Sequence, residues 1–206
     1  ANTAMKSLHP NPTIFLIILL SLVSSNSLFV AFGTTKQVAD QEAAALIAWK
    51  GSLDNQSQLL LSSWVGVGSG GPCINYWVGI GCSINDDVAG RITHINLTSY
   101  ALRGTLHHLN FSSFSHLLTI DLSYNSLYGN IPAHIGILSR LPYLDLSLNH
   151  FSGTIPSEIG HLKNLEFLYM YGNHISGTIP QEIGMLSSLN ELALSTNNLM
   201  GSIPTS

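Results

Sequence analysis

Charged side chains are scarce in this chain: 9% of its 206 residues are Asp, Glu, Lys or Arg, and the formal net charge is -4. That excludes the basic footprint of a nucleic-acid-binding surface. Scarce charge combined with 45% hydrophobic residues also argues against a disordered chain and against the densely charged surface of a cytosolic enzyme. It leaves room for attached sugars to supply solubility. Only two cysteines occur, too few to complete a structural zinc site alone. Catalytic signatures are missing too: there is no His-Glu-x-x-His, no glycine-rich phosphate loop and no Gly-x-Ser-x-Gly. Of the nine histidines, His107 and His108 are adjacent, and His150 and His174 share one position just past a repeated asparagine. They read as surface residues, so no catalytic residue, metal site or cofactor is expected.

What the chain does have is a period. Asn125, Asn149, Asn173 and Asn197 fall 24 residues apart, as do Gly129, Gly153, Gly177 and Gly201, and Pro132, Pro156, Pro180 and Pro204. A fixed period of this length marks a solenoid, and the spacing Leu-x-x-Leu-x-Leu-x-x-Asn marks a leucine-rich repeat. Each unit brings about seven apolar side chains; in one they are Leu138, Leu141, Leu144, Leu146, Phe151, Ile155 and Ile159. One unit cannot bury them alone, so stability must come from stacking on its neighbours. The alternation Leu144-Asp145-Leu146 has the period of a strand, with Tyr143, Asp145 and Ser147 outward. The expected fold is an α/β solenoid, a horseshoe or superhelix with parallel strands lining its concave face. The ladder asparagines should satisfy backbone groups where the chain turns, the glycines should take positive φ, and the prolines should fix an extended segment.

The chain divides into three parts: residues 1–33, a leader and secretory signal; 38–89, an N-terminal cap; and 90–206, about five repeats, the last uncapped. Met5-Lys6 followed by the apolar run Ile14 to Val23 has the order of a secretory signal. The longer uncharged stretch Ile14 to Phe32 leaves an uncleaved anchor as the alternative. Asp40 is placed as the N-cap of an amphipathic helix carrying Ala43, Leu46, Ile47 and Trp49. Cys73 and Cys82, in a chain routed for secretion, most simply pair as a disulfide, closing a loop of about ten residues that contributes roughly 2–3 kcal/mol. The first repeat is degenerate, with Tyr100 where later repeats carry asparagine.

Three groups of residues together resemble the extracellular region of plant leucine-rich repeat receptor-like kinases: Ala-Leu-Ile-Ala-Trp-Lys at 45–50, the segment Cys-x3-Trp-x-Gly-Ile-x-Cys at 73–82, and the Leu-x-Gly-x-Ile-Pro repeats. The resemblance implies a twisted solenoid that binds a peptide or protein ligand, or a co-receptor ectodomain, on its inner surface. It also implies a cell-surface or cell-wall location in the secretory route, with membrane attachment only through a segment after Ser206. Secreted polygalacturonase inhibitors share the repeat and supply the alternative, with a truncated gene fragment as a third; an uncapped last repeat should self-associate.

Reading outward positions as columns gives Thr119, Tyr143, Phe167 and Glu191; Asp121, Asp145, Tyr169 and Ala193; and Ser123, Ser147, Tyr171 and Ser195. Leu-Asp-Leu-Ser is the default wording, so Asp121 and Asp145 are read as solvated bystanders. Tyr143, Phe167, Tyr169 and Tyr171 depart from it and form a candidate ligand-binding patch, with Tyr124 and Leu148 at its margin. The alternative is that these rings only pack on one another along the ladder. Asn55, Asn96 and Asn110 each begin an Asn-x-Ser/Thr glycosylation motif. A glycan on Asn96 would crowd the inner face near the cap.

Overall fold

The computed structural model describes residues 37, 39–66, 71–84 and 89–204. The signal and the leader before it lie outside the described residues. Residues from Ala39 onward cluster as one unit, and no helix among the described residues is long and apolar enough to cross a membrane.

The repeats build two sheets. One runs β1 (Ile80–Cys82), β2 (Ile92–Asn96), β4 (Thr119–Asp121), β6 (Tyr143–Asp145), β8 (Phe167–Tyr169) and β10 (Glu191–Ala193) in spatial order. All of its pairings are parallel except β1 with β2. Each repeat then turns and adds a strand to a second sheet made of β3 (Arg103–Gly104), β5 (Ser126–Asn130), β7 (His150–Gly153), β9 (His174–Gly177) and β11 (Asn198–Leu199). On the far side, 3-10 turns at Phe111–Ser113, Ala133–Ile137, Ser157–His161 and Gln181–Met185 return the chain. All seven apolar residues named for the unit starting at Leu138 are buried.

The ladder asparagines reach further than a local turn. Asn149 donates through Nδ2 to Leu146 O and Ser147 O of its own turn and to Leu122 O of the preceding repeat, and its Oδ1 accepts from Leu127 N, also of the preceding repeat. Asn125, Asn173 and Asn197 repeat the pattern. Each amide thus joins two coils. The residue before each asparagine is left-handed: Tyr124, Leu148 and Thr196 have φ of 53–55°, and only Gly172 in that column is free of a Cβ. The glycines four residues after the asparagines have positive φ as expected.

A cap closes the leading end. Helix α1 (residues 39–52) already includes Asp40, so Asp40 is not its N-cap. Asp54 instead caps α2 (Asn55–Leu60), accepting from Ser57 N. Trp49, Trp64 and Trp77 are buried in series, with ring centroids 6.1 and 5.8 Å apart. The indole N–H groups of Trp49 and Trp64 donate to Thr105 O and Val78 O. After α3 (Gly71–Ile74), Cys73 and Cys82 are joined, with Cα atoms 5.7 Å apart. Glu42 on α1 is buried and accepts from Ile92 N, the first amide of β2.

At the other end Leu192, Met200 and Ile203 are exposed, while Leu189, Leu194 and Leu199 are partly buried against the core. The last coil packs on the one before it and leaves these side chains partly open on their other side.

A Cβ on Gly136 or Gly160 would lie 2.3 or 2.6 Å from a backbone carbonyl of the next 3-10 turn, whereas one on Gly184 meets nothing within 4 Å. Gly136→Ala and Gly160→Ala should each lower stability by about 1–3 kcal/mol through overpacking, with Gly184→Ala within about 0.5 kcal/mol of the parent, as read by denaturant unfolding.

Burial raises the carboxyl of Glu42 from 4.5 to about 7, opposed by its bond to Ile92 N and by Arg91. The folded state holds this proton more tightly than the unfolded chain, so the stabilisation is complete below pH 4.5 and is lost as pH rises through 7. Relative to Glu42→Gln, the parent should lose about 3 kcal/mol between pH 4.5 and 8. Parallel pH profiles of the two proteins would contradict this.

Candidate ligand-binding face

The six-stranded sheet presents its exposed side chains in register. His94, Thr119, Tyr143, Phe167 and Glu191 form one row of cross-strand partners, and Asn96, Asp121, Asp145, Tyr169 and Ala193 form the next. Neighbouring strands sit about 4.8 Å apart, close enough for adjacent rings to touch. Tyr143 lies 6.0 Å from Phe167 and 5.8 Å from Tyr169 between ring centroids, the second contact edge-on, and Phe167 lies 6.4 Å from Tyr169. Three of the four predicted rings therefore form one half-buried cluster. Tyr171 occupies the next row and makes no ring contact with them among the described residues.

Two acids read as solvated bystanders are not. Asp145 is buried, as are Ser123 and Ser147, and each aspartate accepts from both the amide and the hydroxyl of the serine two residues on. The strand ends at Asp145, so alternation no longer applies when the chain reaches Ser147, and the serine folds back under its carboxylate. Asp-x-Ser is thus a backbone clasp. Burial raises the Asp145 carboxyl above its ordinary range, although the Ser147 bonds pull it down.

The repeat of β8 abandons the clasp, with Tyr169 and Tyr171 at the two positions. Tyr169 instead donates its hydroxyl to Glu191 Oε2 at 2.5 Å. That bond, ahead of other causes, pushes its phenol up to about 12. Tyr143 reaches about 12 mainly through burial and the nearby carboxylates of Asp145 and Asp121. Both hydroxyls stay protonated and able to donate at neutral pH. Glu191 was visible in the column but carried no sign of this role; the signal was its diagonal position one strand beyond Tyr169. At the margin, Tyr124 is exposed and Leu148 half-buried.

The other named residues fall outside the cluster. His150 and His174 are exposed on the second sheet, as surface residues, and their rings stack on each other at 5.7 Å with an interplanar angle of 9°. Among the described residues, no three His, Cys, Asp or Glu side chains converge as metal ligands. Asn55, Asn96 and Asn110 are all exposed. Asn96 and Asn110 accept from both the amide and the hydroxyl of the Thr or Ser two residues on, whereas Ser57 is turned inward to accept from Arg103 N.

A capped stack of coils with parallel strands on one face defines a leucine-rich repeat solenoid. The leucine rich repeat N-terminal domain family matches residues 39–83, and the Leucine Rich Repeat family matches 116–138, 140–162 and 164–186. MDIS1-interacting receptor like kinase 2 of Arabidopsis thaliana is 38% identical over 121 residues, covering 58% of this chain and 11% of that protein. A chain in the crystal structure of the Arabidopsis BIR3–SERK2 complex superposes with a TM-score of 0.69 at 36% identity, over 78% of this chain and 84% of that one. The Arabidopsis receptor kinase HAESA, solved with the peptide hormone IDA and the co-receptor SERK1, gives 0.55 at 32% identity, over 78% and 30%. The chain belongs to the plant leucine-rich repeat family of receptor-like kinase extracellular regions. It spans about a tenth of the length of the curated relatives it matches.

Proposed function

We propose that this chain is the cap-proximal part of a cell-surface receptor ectodomain and that its six-stranded face binds a peptide or protein ligand through Tyr143, Phe167, Tyr169 and Tyr171. The observation that carries the reading is the loss of the Asp-x-Ser clasp where the rings occur. At the default positions side chains are used up by the backbone; at Tyr169 and Tyr171 they are released to the surface. Rings with a polar tip and few rotatable bonds supply most of the energy at protein interfaces. The work of the module is recognition rather than catalysis. Relatives solved with a peptide hormone and a co-receptor support both kinds of partner. A kinase segment and a membrane anchor belong to the longer protein that such relatives represent.

The test uses displayed random peptides panned on the immobilised protein. Peptides enriched on the parent should bind the double variant Tyr169→Ala, Tyr171→Ala at least about tenfold more weakly, as expected for the loss of two interface anchors. The variant should unfold at the parent's temperature, because both side chains are partly exposed. Unchanged capture would overturn the assignment of the face.

A further inference from the structure

We infer that Asn96 carries an N-linked glycan that stands on the six-stranded face and closes its cap end, leaving the aromatic cluster as the open part. The occupancy is independent of the binding proposal; the limit it sets on the ligand rests on that proposal.

The inference starts from register. Asn96 pairs with Asp121 across β2 and β4, and Asp121 pairs with Asp145. Thr98 stands two residues after Asn96 as Ser123 stands after Asp121. Asn96 Oδ1 accepts from Thr98 N at 3.2 Å and from Thr98 Oγ1 at 3.0 Å. Asn96-Leu-Thr98 is therefore the same clasp that Asp121 and Asp145 make, written with an amide in place of a carboxylate. The backbone needs only the oxygen. The exchange adds one group with no structural use, the Nδ2 amine, which makes no hydrogen bond among the described residues and belongs to an exposed side chain. The acceptor of an N-linked sugar is this nitrogen, with a hydroxyl two residues on.

Transfer would balance as a substitution. Nδ2 bonds to the anomeric carbon of a polyprenyl-pyrophosphate-linked oligosaccharide as the bond from that carbon to the pyrophosphate oxygen breaks. The lipid pyrophosphate leaves, and one amide proton passes to a base of the transferase. No oxidant or reductant is involved.

On β2 the exposed positions are His94 and Asn96, so a sugar on Asn96 rises beside His94 and over Asp121 one strand away. Tyr169 is three strands away, about 14 Å at 4.8 Å per strand. Shielding should fall along that distance, strongest at His94 and weakest at Tyr171.

Asn96→Asp is the discriminating variant, because it restores the wording of the neighbouring repeats and keeps the clasp. Thr98→Ala is the second, removing the acceptor motif while keeping the asparagine. The protein is secreted from animal cells and its sugars are removed by peptide N-glycosidase in heavy-oxygen water. The Asn96 peptide should return as aspartate bearing the heavy label, and His94 should react with diethyl pyrocarbonate several-fold more slowly in the glycosylated parent than in either variant. His150 and His174, on the other sheet, should react equally in all three. An unlabelled Asn96 beside a labelled Asn110 would overturn the inference, as would a labelled Asn96 with His94 reacting at one rate throughout. Neither readout uses a peptide, so failure here leaves the test of Tyr169 and Tyr171 standing, and the reverse holds.

Discussion

Everything in this molecule depends on the fact that a single coil cannot satisfy its own turn. Where each coil turns out of the inner sheet, a backbone amide such as Leu127 N finds its acceptor in the asparagine of the next coil, and an unpaired buried polar group costs about 1–3 kcal/mol. The ladder asparagine meets that cost with a side chain that is donor and acceptor at once. Because one of its donations and its one acceptance go to the preceding repeat, the solution is available only inside a stack. Apolar burial has the same dependence: Leu144 and Leu146 are covered only because coils lie on both sides.

That shared interior is what lines side chains of successive repeats up into one face. Stacking fixes the strands in parallel register, and register places residues 24 apart side by side. A change in one repeat therefore lands beside its counterparts as a patch, not as an isolated residue. Tyr143, Phe167 and Tyr169 come from two repeats and two rows, yet their rings touch. The same register turns Asn96 into the amide version of Asp121. The Asp-x-Ser clasp divides the face into positions used by the backbone and positions left free; Tyr143 and Phe167 stand in the free row, and Tyr169 stands at a clasp position whose repeat has given the clasp up.

Much of this was legible in the sequence. The period gave the solenoid, the alternation gave the strands, and two cysteines in a chain routed for secretion gave the pair in the cap. The roles of glycine and proline followed from backbone freedom alone. What escaped was anything that depended on contacts between repeats. Asp145 and Ser147 looked solvent-facing because alternation was carried past the end of a three-residue strand. The left-handed backbone at Tyr124, Leu148 and Thr196 has no composition signal, since these residues do not favour it; the lone Gly172 in that column was the only hint. Glu42 gave no sign of being buried, because its partner Ile92 lies 50 residues away. The bond from Tyr169 to Glu191 was hidden for the same reason.

The central claim, that the coils persist only by sharing interior and amides with their neighbours, is tested most directly by native-state hydrogen exchange on Asn149→Ala. The substitution leaves Leu127 N without its partner and removes one of the two amide donors to Leu122 O, and it should lower global stability by about 1–3 kcal/mol. Exchange should quicken not only at Leu127 but also at Leu102 and Phe151, whose amides are held by Asn125 and Asn173 in adjacent coils. Faster exchange confined to Leu127, with the neighbouring coils as protected as before, would show that the repeats stand independently and would contradict the account.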